Sequence, residues 1–271
     1  MDFSNRVAVI TGGGSGIGRA VGAALARRDV AAVALVDVSE TIEDVAAKLN
    51  TEAGRPVAIP FQGDTTDAAF RSRLFDSISR KFGPVSLCVP AAGITRDDLA
   101  VRVDKATGKA RIYPQDLFKL VVDVNLIAPV YWALEMIGRI AEDRAARGVK
   151  RWTPDEHMQG SVVFIGSISS QGNRGQISYA STKAGLEGAA ATIMKEAMFH
   201  GVRCSVIHPG FTDTPMVRAM GMDYVAKNIL PYTQLGRLIA PEEIADAICF
   251  MLGNSAVSGE LWVDAGWHAP A

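Results

Sequence analysis

Cysteine is scarce: Cys88, Cys204 and Cys249 are the three in 271 residues, far apart and with no CxxC pair. That excludes a disulfide framework and leaves reduced core thiols, so the chain is expected in the cytoplasm. An excess of charge of either sign is also missing. Lys plus Arg number 28 and Asp plus Glu 29, a net charge of -1, which argues against a nucleic-acid or polyanion binder. No apolar run is expected to span a membrane. Met1-Asp2-Phe3-Ser4-Asn5 has neither a basic nor an apolar leader character, so no secretory segment is expected. Linkers, repeats and low-complexity tracts are absent as well. No metal site is expected. What is present, 48% apolar and 21% charged residues, suits one large domain over residues 1–271 with a sizeable core.

Short β-branched runs alternate with helix-like stretches along the chain. Strands are predicted at residues 6–11, 32–37, 57–62, 85–90, 161–165, 202–208 and 260–263. Helices are predicted to about residue 28, to about 53, over 67–82, as one long helix from 115 to about 147, and over 179–199 and 241–252. Short strands buried on both faces, each followed by a helix, indicate a parallel sheet. The right-handed crossover then makes the fold α/β, a single-domain, Rossmann-like, doubly wound parallel sheet of about seven strands flanked by helices. Two segments read as surface insertions. Residues 95–113 suit a β-hairpin around Thr107-Gly108, and residues 139–159 form a charged helix end and loop.

Gly12, Gly16 and Gly18 lie between the first strand and the first helix. Glycines there permit a tight turn and close approach of backbone to a pyrophosphate, and the helix N-terminus supplies free N–H groups. Ser15 and Ile17 belong to the same turn. Asp37, nineteen residues past Gly18 at the end of the second strand, can accept bonds from an adenosine ribose and would repel a 2′-phosphate. Ser15 brings no cation for such a phosphate. Both residues favour NAD over NADP.

Tyr179 and Lys183 stand four apart at the start of a helix and project from one face. Tyrosine, with a pKa near 10, is a poor base at neutral pH. A lysine ammonium beside it, with a positive nicotinamide ring near, favours the phenolate. A lowering by two to three decades corresponds to about 3–4 kcal/mol. Tyr179 would then take a hydroxyl proton as hydride leaves the adjacent carbon, and return it in the reverse direction. Ser167 directly follows a strand and can orient the substrate oxygen. Asn125 is an amide inside a helix and must find partners there; it reads either as functional or as a core amide that distorts the helix.

Thr11–Gly18 (TGGGSGIG), Asp64, Ala91-Ala92-Gly93, Asn125, Ser167, Tyr179 to Lys183 (YASTK), Pro209-Gly210, Pro241-Glu242-Glu243 and Val263–Trp267 (VDAGW) fall in one order. In that order the chain resembles the classical short-chain dehydrogenase/reductase family over nearly its whole length. The resemblance implies a catalytic tetrad of Asn125, Ser167, Tyr179 and Lys183, with Asn125 helping to hold a water beside the lysine. It further implies NAD contacts from Asp64 to the adenine, from the Thr65 backbone, and from Ala91, Ala92 and Gly93 to the ribose. Tyr179 and Lys183 would touch the cofactor too. After Pro209-Gly210, Thr212 through its backbone and Thr214 through its hydroxyl would hold the carboxamide. A lid over substrate is expected at about residues 211–231.

The family usually places its serine thirteen residues before the tyrosine. Here that position is Gly166 and Ser167 is twelve before, with Ser169 as the alternate. A second departure is Pro90-Ala91-Ala92-Gly93, where the family often has Asn-Asn-Ala-Gly, so the strand end must be tied down another way. The leading expectation is a small-molecule alcohol/ketone oxidoreductase. One alternative is a 3-oxoacyl-thioester reductase, to which residues 172–185 look similar, with Arg144, Arg147, Lys150 and Arg151 available to an acidic carrier protein. Such reductases usually prefer NADP, against the reading of Asp37. A silent NAD-binding protein is the non-enzyme alternative. The resemblance also implies a homotetramer.

Overall fold

Four apolar residues and a threonine, Val7–Thr11, form β1 and are buried along its whole length. The computed structural model describes residues 2–267; Met1 and residues 268–271, parts of the expected domain, lie outside the described residues. From β1 the chain continues through α1 (Gly16–Ala26), β2 (Ala32–Asp37), α2 (Ile42–Ala53), β3 (Ala58–Gln62), α3 (Ala68–Phe82) and β4 (Val85–Pro90). A two-stranded antiparallel hairpin follows, β5 (Val101–Val103) and β6 (Ala110–Ile112). Next come α4 (Gln115–Val122), a π turn at Asp123–Ile127, α5 (Ala128–Ala146), β7 (Gly160–Ile165), α6 (Ile177–Ala197) and β8 (Val202–Pro209). Two short helices, α7 (Pro215–Arg218) and α8 (Met222–Asn228), precede α9 (Pro241–Gly253) and β9 (Gly259–Val263).

Seven strands pair in parallel in the order β3-β2-β1-β4-β7-β8-β9. This is the expected doubly wound sheet, and each expected strand boundary lies within one residue of the observed one. Strand order reverses between β1 and β4, so the crevice that such sheets use for ligands opens at their carboxyl ends. Both faces are apolar because both are covered. Ile10, Val33 and Leu35 pack with residues of α1, α2 and α9 on one side. Val9, Val36 and Phe164 pack with Leu74, Trp132, Met136 and Leu186 on the other. Asp67 stops α3 from fraying, its carboxylate accepting the Ala69 and Phe70 N–H groups at 2.8 and 3.1 Å.

The long helix is continuous from Gln115 to Ala146, but a π turn interrupts its middle. By length and composition this helix is apolar enough to cross a membrane, against expectation. One face of it is core, with Trp132 and Met136 fully buried, while Ile127, Tyr131 and Leu134 on another face are exposed. Trp132 also donates its indole N–H to the Thr65 carbonyl at 2.9 Å, tying the helix to the rim of the crevice.

The segment 139–159 is not merely solvated surface. The Arg144 side chain is 1% exposed and bonds both oxygens of Glu156 at 2.6 and 3.1 Å. Arg139 bridges Glu135 and Asp76. Arg144 is therefore unavailable to a docking partner. The hairpin strands are exposed as expected, yet their base is anchored: Tyr113 donates to the Arg96 carbonyl and meets the Ser178 hydroxyl at 3.0 Å.

Candidate active site

The turn after β1 is shaped by what side chains cannot enter it. Gly12 and Gly16 have φ of 67° and 51°, the left-handed region where glycine is favoured. A Cβ on Gly12 would lie 2.8 Å from the Ala92 nitrogen, and one on Gly18 would lie 2.2 Å from the Gly12 carbonyl oxygen. The two loops after β1 and β4 therefore touch backbone to backbone. Ser15 precedes α1 in an extended conformation and makes no side-chain cap bond. The first N–H groups of α1, at Gly16, Ile17 and Gly18, thus point to a cavity of about 490 Å³ that all three line.

Asp37 stands on the rim of that cavity. Its carboxylate accepts the Gly14 N–H at 2.9 Å and the Ser39 N–H at 3.0 Å. Among the described residues lining this cavity the cations are Arg96 and Lys183. Asp64 and Thr65 line it too. One Asp64 oxygen is held by the Thr66 N–H and hydroxyl, both at 2.8 Å. Ala91, Ala92 and Gly93 form the opposite wall. The missing family amides are replaced in two ways. The Thr11 hydroxyl accepts the Ala92 N–H at 3.1 Å. The Asn125 amide clamps Ile94, accepting its N–H at 2.9 Å and donating to its carbonyl at 2.8 Å. Asn125 is fully buried in the π turn, where the wider backbone loop turns the amide toward the strand end. It lines neither cavity and reaches the site through Ile94 and Gly93, where a Cβ would lie 3.5 Å from its amide oxygen. The cradle a Cβ would fill, the free helix start and the carboxylate at the β2 end together fit a dinucleotide.

Tyr179 sits in the first turn of α6 and Lys183 in the next. The Lys183 Nζ lies 5.3 Å from the Tyr179 ring centre and donates to the Ile165 carbonyl at 2.8 Å. Ser167, just past β7, shares the second cavity's lining with Tyr179, its hydroxyl lowers the phenol's pKa, and it accepts the Ser169 N–H at 3.1 Å. Ser169 turns away, donating to Gln176 at 2.8 Å. The loop that is one residue short leaves Ser167, not Ser169, against the tyrosine.

The electrostatics differ from expectation. Burial pushes the Tyr179 phenol up to about 12, Ser167 draws it partly back, and the Asp97 charge pushes it further up. Burial also pushes the Lys183 ammonium down to about 8. Desolvation is the largest cause for both members of the pair. The chain's own groups leave Tyr179 protonated at neutral pH.

Tyr179 and Met216 also line a second cavity of about 400 Å³, with Ser167, Pro209 and Gly210. Its lining includes apolar Phe211, Met220 and Trp267 and polar Asp97, Arg174 and Gln176. Thr214 lines the first cavity and lies over the turn, its methyl 3.0 Å from where a Gly16 Cβ would be. Thr212 is buried, donates its hydroxyl to the Gly210 carbonyl at 3.0 Å and lines neither cavity. Asp97, Gln176 and His208 escaped the reading of the sequence. His208 lies fully buried behind Ser167, its Nδ1 3.3 Å from the Ser167 nitrogen. The one signal for it was an imidazole near the end of a fully buried strand.

Residues 6–224 match the family profile described as short chain dehydrogenase. The chain is 29% identical over 272 aligned positions to the 3-oxoacyl-acyl-carrier-protein reductase of Escherichia coli, covering 99% of each. It is 31% identical to the cis-4-hydroxycyclohexanecarboxylate dehydrogenase of Sinomonas cyclohexanicum, covering 98% of each. Its fold matches the crystal structure of a short-chain type dehydrogenase/reductase from Mycobacterium marinum with a TM-score of 0.83 at 22% identity, over 99% of this chain and 98% of that one.

Proposed function

The chain belongs to the short-chain dehydrogenase/reductase family of nicotinamide-dependent oxidoreductases, and from that premise we propose that it is an NAD-dependent dehydrogenase of secondary alcohols that reduces the matching ketones in reverse. The observation that carries this reading is the position of Tyr179, which lines both the dinucleotide cradle and the second cavity. A proton donor and acceptor stands where the two meet, with a serine hydroxyl beside it and a buried ammonium behind it.

A bound dinucleotide supplies the hydride acceptor and, when oxidised, a positively charged ring. Gly12, Ser15, Gly16, Ile17 and Gly18 would hold its pyrophosphate through backbone N–H groups. Asp37 would accept bonds from the ribose hydroxyls and repel a 2′-phosphate. Asp64 and Thr65 would serve the adenine, and Ala91, Ala92 and Gly93 the second ribose. Pro209, Gly210 and Thr214 would hold the carboxamide end, and Thr212 would contribute backbone only, since its hydroxyl is taken by Gly210.

Ser167 orients the substrate oxygen, and Tyr179 exchanges its proton. In the reducing direction a phenol at about 12 is already the loaded acid. In the oxidising direction it must ionise, and Lys183 in its charged form is the group that draws it down. Lys183, at about 8, keeps most of that charge at pH 7. Asn125 is a positioning residue that holds Ile94 and the β4 end. The segment 211–231, with α7 and α8, closes over the second cavity.

A thioester subtype is the second reading. The full-length likeness to the Escherichia coli reductase favours it, and so does a cavity lined by both apolar and polar residues. The cationic patch offered to a carrier is reduced to Arg147, Lys150 and Arg151, because Arg144 is buried. Arg147 moreover pairs with Asp143 at 2.7 Å. A homotetramer in the cytoplasm completes the proposal. Ile127, Tyr131 and Leu134 expose one apolar stripe along the long helix, and the three cysteines are free and buried.

The test is nicotinamide absorbance with a panel of secondary alcohols, ketones and 3-oxoacyl thioesters, each with NAD and NADP. Turnover with NAD on alcohols is expected, and Asp37→Ala should let NADP compete. Turnover confined to thioesters would move the assignment to the second reading. A cofactor ratio unchanged in Asp37→Ala would remove the basis for NAD.

A further inference from the structure

Behind Ser167, three ligand-type side chains converge on one face of the sheet. His208 ends β8, Glu260 lies on the neighbouring edge strand β9, and Glu187 reaches down from α6, one turn after Lys183. The His208 Nε2 lies 3.3 Å from Glu260 Oε2 and 3.8 Å from Glu187 Oε1, and the three atoms lie within 4.8 Å of one another. His208 is fully buried and its ring is stacked on Trp262 at 4.2 Å, so its direction is fixed. Its Nε2 has no hydrogen-bond partner. The Glu260 oxygen, though near, lies off the line a ring N–H would follow. Among the described residues neither carboxylate has a lysine or arginine at ion-pair distance.

We propose that Glu187, His208 and Glu260 form a divalent transition-metal site of the zinc class. Two ligands about 2.0–2.1 Å from a tetrahedral zinc stand roughly 3.4 Å apart. The observed 3.3 and 3.8 Å need only a small closing movement. An off-axis neighbour is poor for a hydrogen bond and right for a second ligand on a shared ion. Two carboxylates and a neutral imidazole carry the charge that a divalent cation neutralises. The imidazole selects a borderline metal over magnesium or calcium. A hollow of about 50 Å³ beside Glu187, Cys204 and Glu260 has room for a water as fourth ligand.

The other ring nitrogen, Nδ1, accepts the Ser167 N–H at 3.3 Å and lies 3.2 Å from the Ser167 carbonyl. A ligating histidine donates its second N–H to a carbonyl or carboxylate, so metal at Nε2 would move the ring proton to Nδ1 and exchange the accepted bond for one donated to the Ser167 carbonyl. The ion would lie behind the cavity walls, not in contact with substrate, and its role is positional.

The test uses the full chain stripped of metal by chelation and titrated with cobalt(II). One equivalent should bind per chain, with the intense visible bands of a low-coordinate site, and zinc should displace it while magnesium does not. Glu187→Gln and Glu260→Gln alter partly exposed side chains, so both variants should fold. Each should weaken cobalt binding at least tenfold, the low end for loss of a ligand or its support. Absence of saturable one-to-one uptake would overturn the assignment, as would uptake unaltered in both variants. Neither readout involves turnover, so this result is independent of the dehydrogenase reading.

Discussion

Lys183→Met separates what the lysine does for stability from what it does for chemistry. The ammonium is buried and its pKa is lowered from 10.5 to about 8, with burial the cause. At about 1.4 kcal/mol per decade, keeping it charged inside the fold costs about 3.5 kcal/mol at pH 7. That is a large part of a typical net stability of about 5–15 kcal/mol. Below pH 8 the lysine is charged in folded and unfolded chains alike, so the whole penalty is present. Between pH 8 and 10.5 the unfolded chain holds the extra proton, so stability rises with pH and the penalty disappears. Methionine has nearly the same shape and no charge, and it forgoes the bond from the ammonium to the Ile165 carbonyl, a loss of about 1.5 kcal/mol for a charged donor. The ligand-free variant should therefore be about 2 kcal/mol more stable than the parent at pH 7, a rise in Tm of about 5 °C. The gain should shrink as pH approaches 10. Turnover should fall by about two orders of magnitude or more. Calorimetry of both proteins at pH 7 and pH 10, without dinucleotide, measures the difference. A variant less stable than the parent at pH 7, or a gap that does not change with pH, would refute the reasoning.

Tyr179→Phe should abolish turnover while dinucleotide binding, followed by fluorescence, stays within a few-fold of the parent; persisting activity would remove the proton-transfer role. Ser167→Ala should lower kcat by about 10²-fold or more, whereas Ser169→Ala, which cuts only the bond to Gln176, should act mainly on KM; the reverse outcome would move the role to Ser169. Glu156 is held down to about 2 by the Arg144 guanidinium. The parent should thus lose stability as pH falls from 4.5 toward 2, and Glu156→Gln should lack that part of the acid transition, as a urea titration at a series of pH values would show.

The sequence by itself determined the strands, because a sheet covered on both faces requires continuous apolar runs, and those are local. It determined the glycine turn for a similar reason: left-handed backbone disfavours a Cβ at Gly12 and Gly16 whatever surrounds them. The Tyr179–Lys183 pairing was legible too, since helical spacing alone puts both on one face. Tertiary structure decided the matters that depend on distance between remote residues. Thr11 meets Ala92 across 81 positions, and Asn125 meets Ile94 across 31, so the substitute for the missing amides could not be read from either segment. Ser167 was separated from Ser169 by a loop path, and Arg144 was carried inside by Glu156. The balance at Tyr179 was set by how much water the fold excludes from it. No pattern along the chain states that quantity, which is why the sign of the tyrosine's shift had to come from the packed protein.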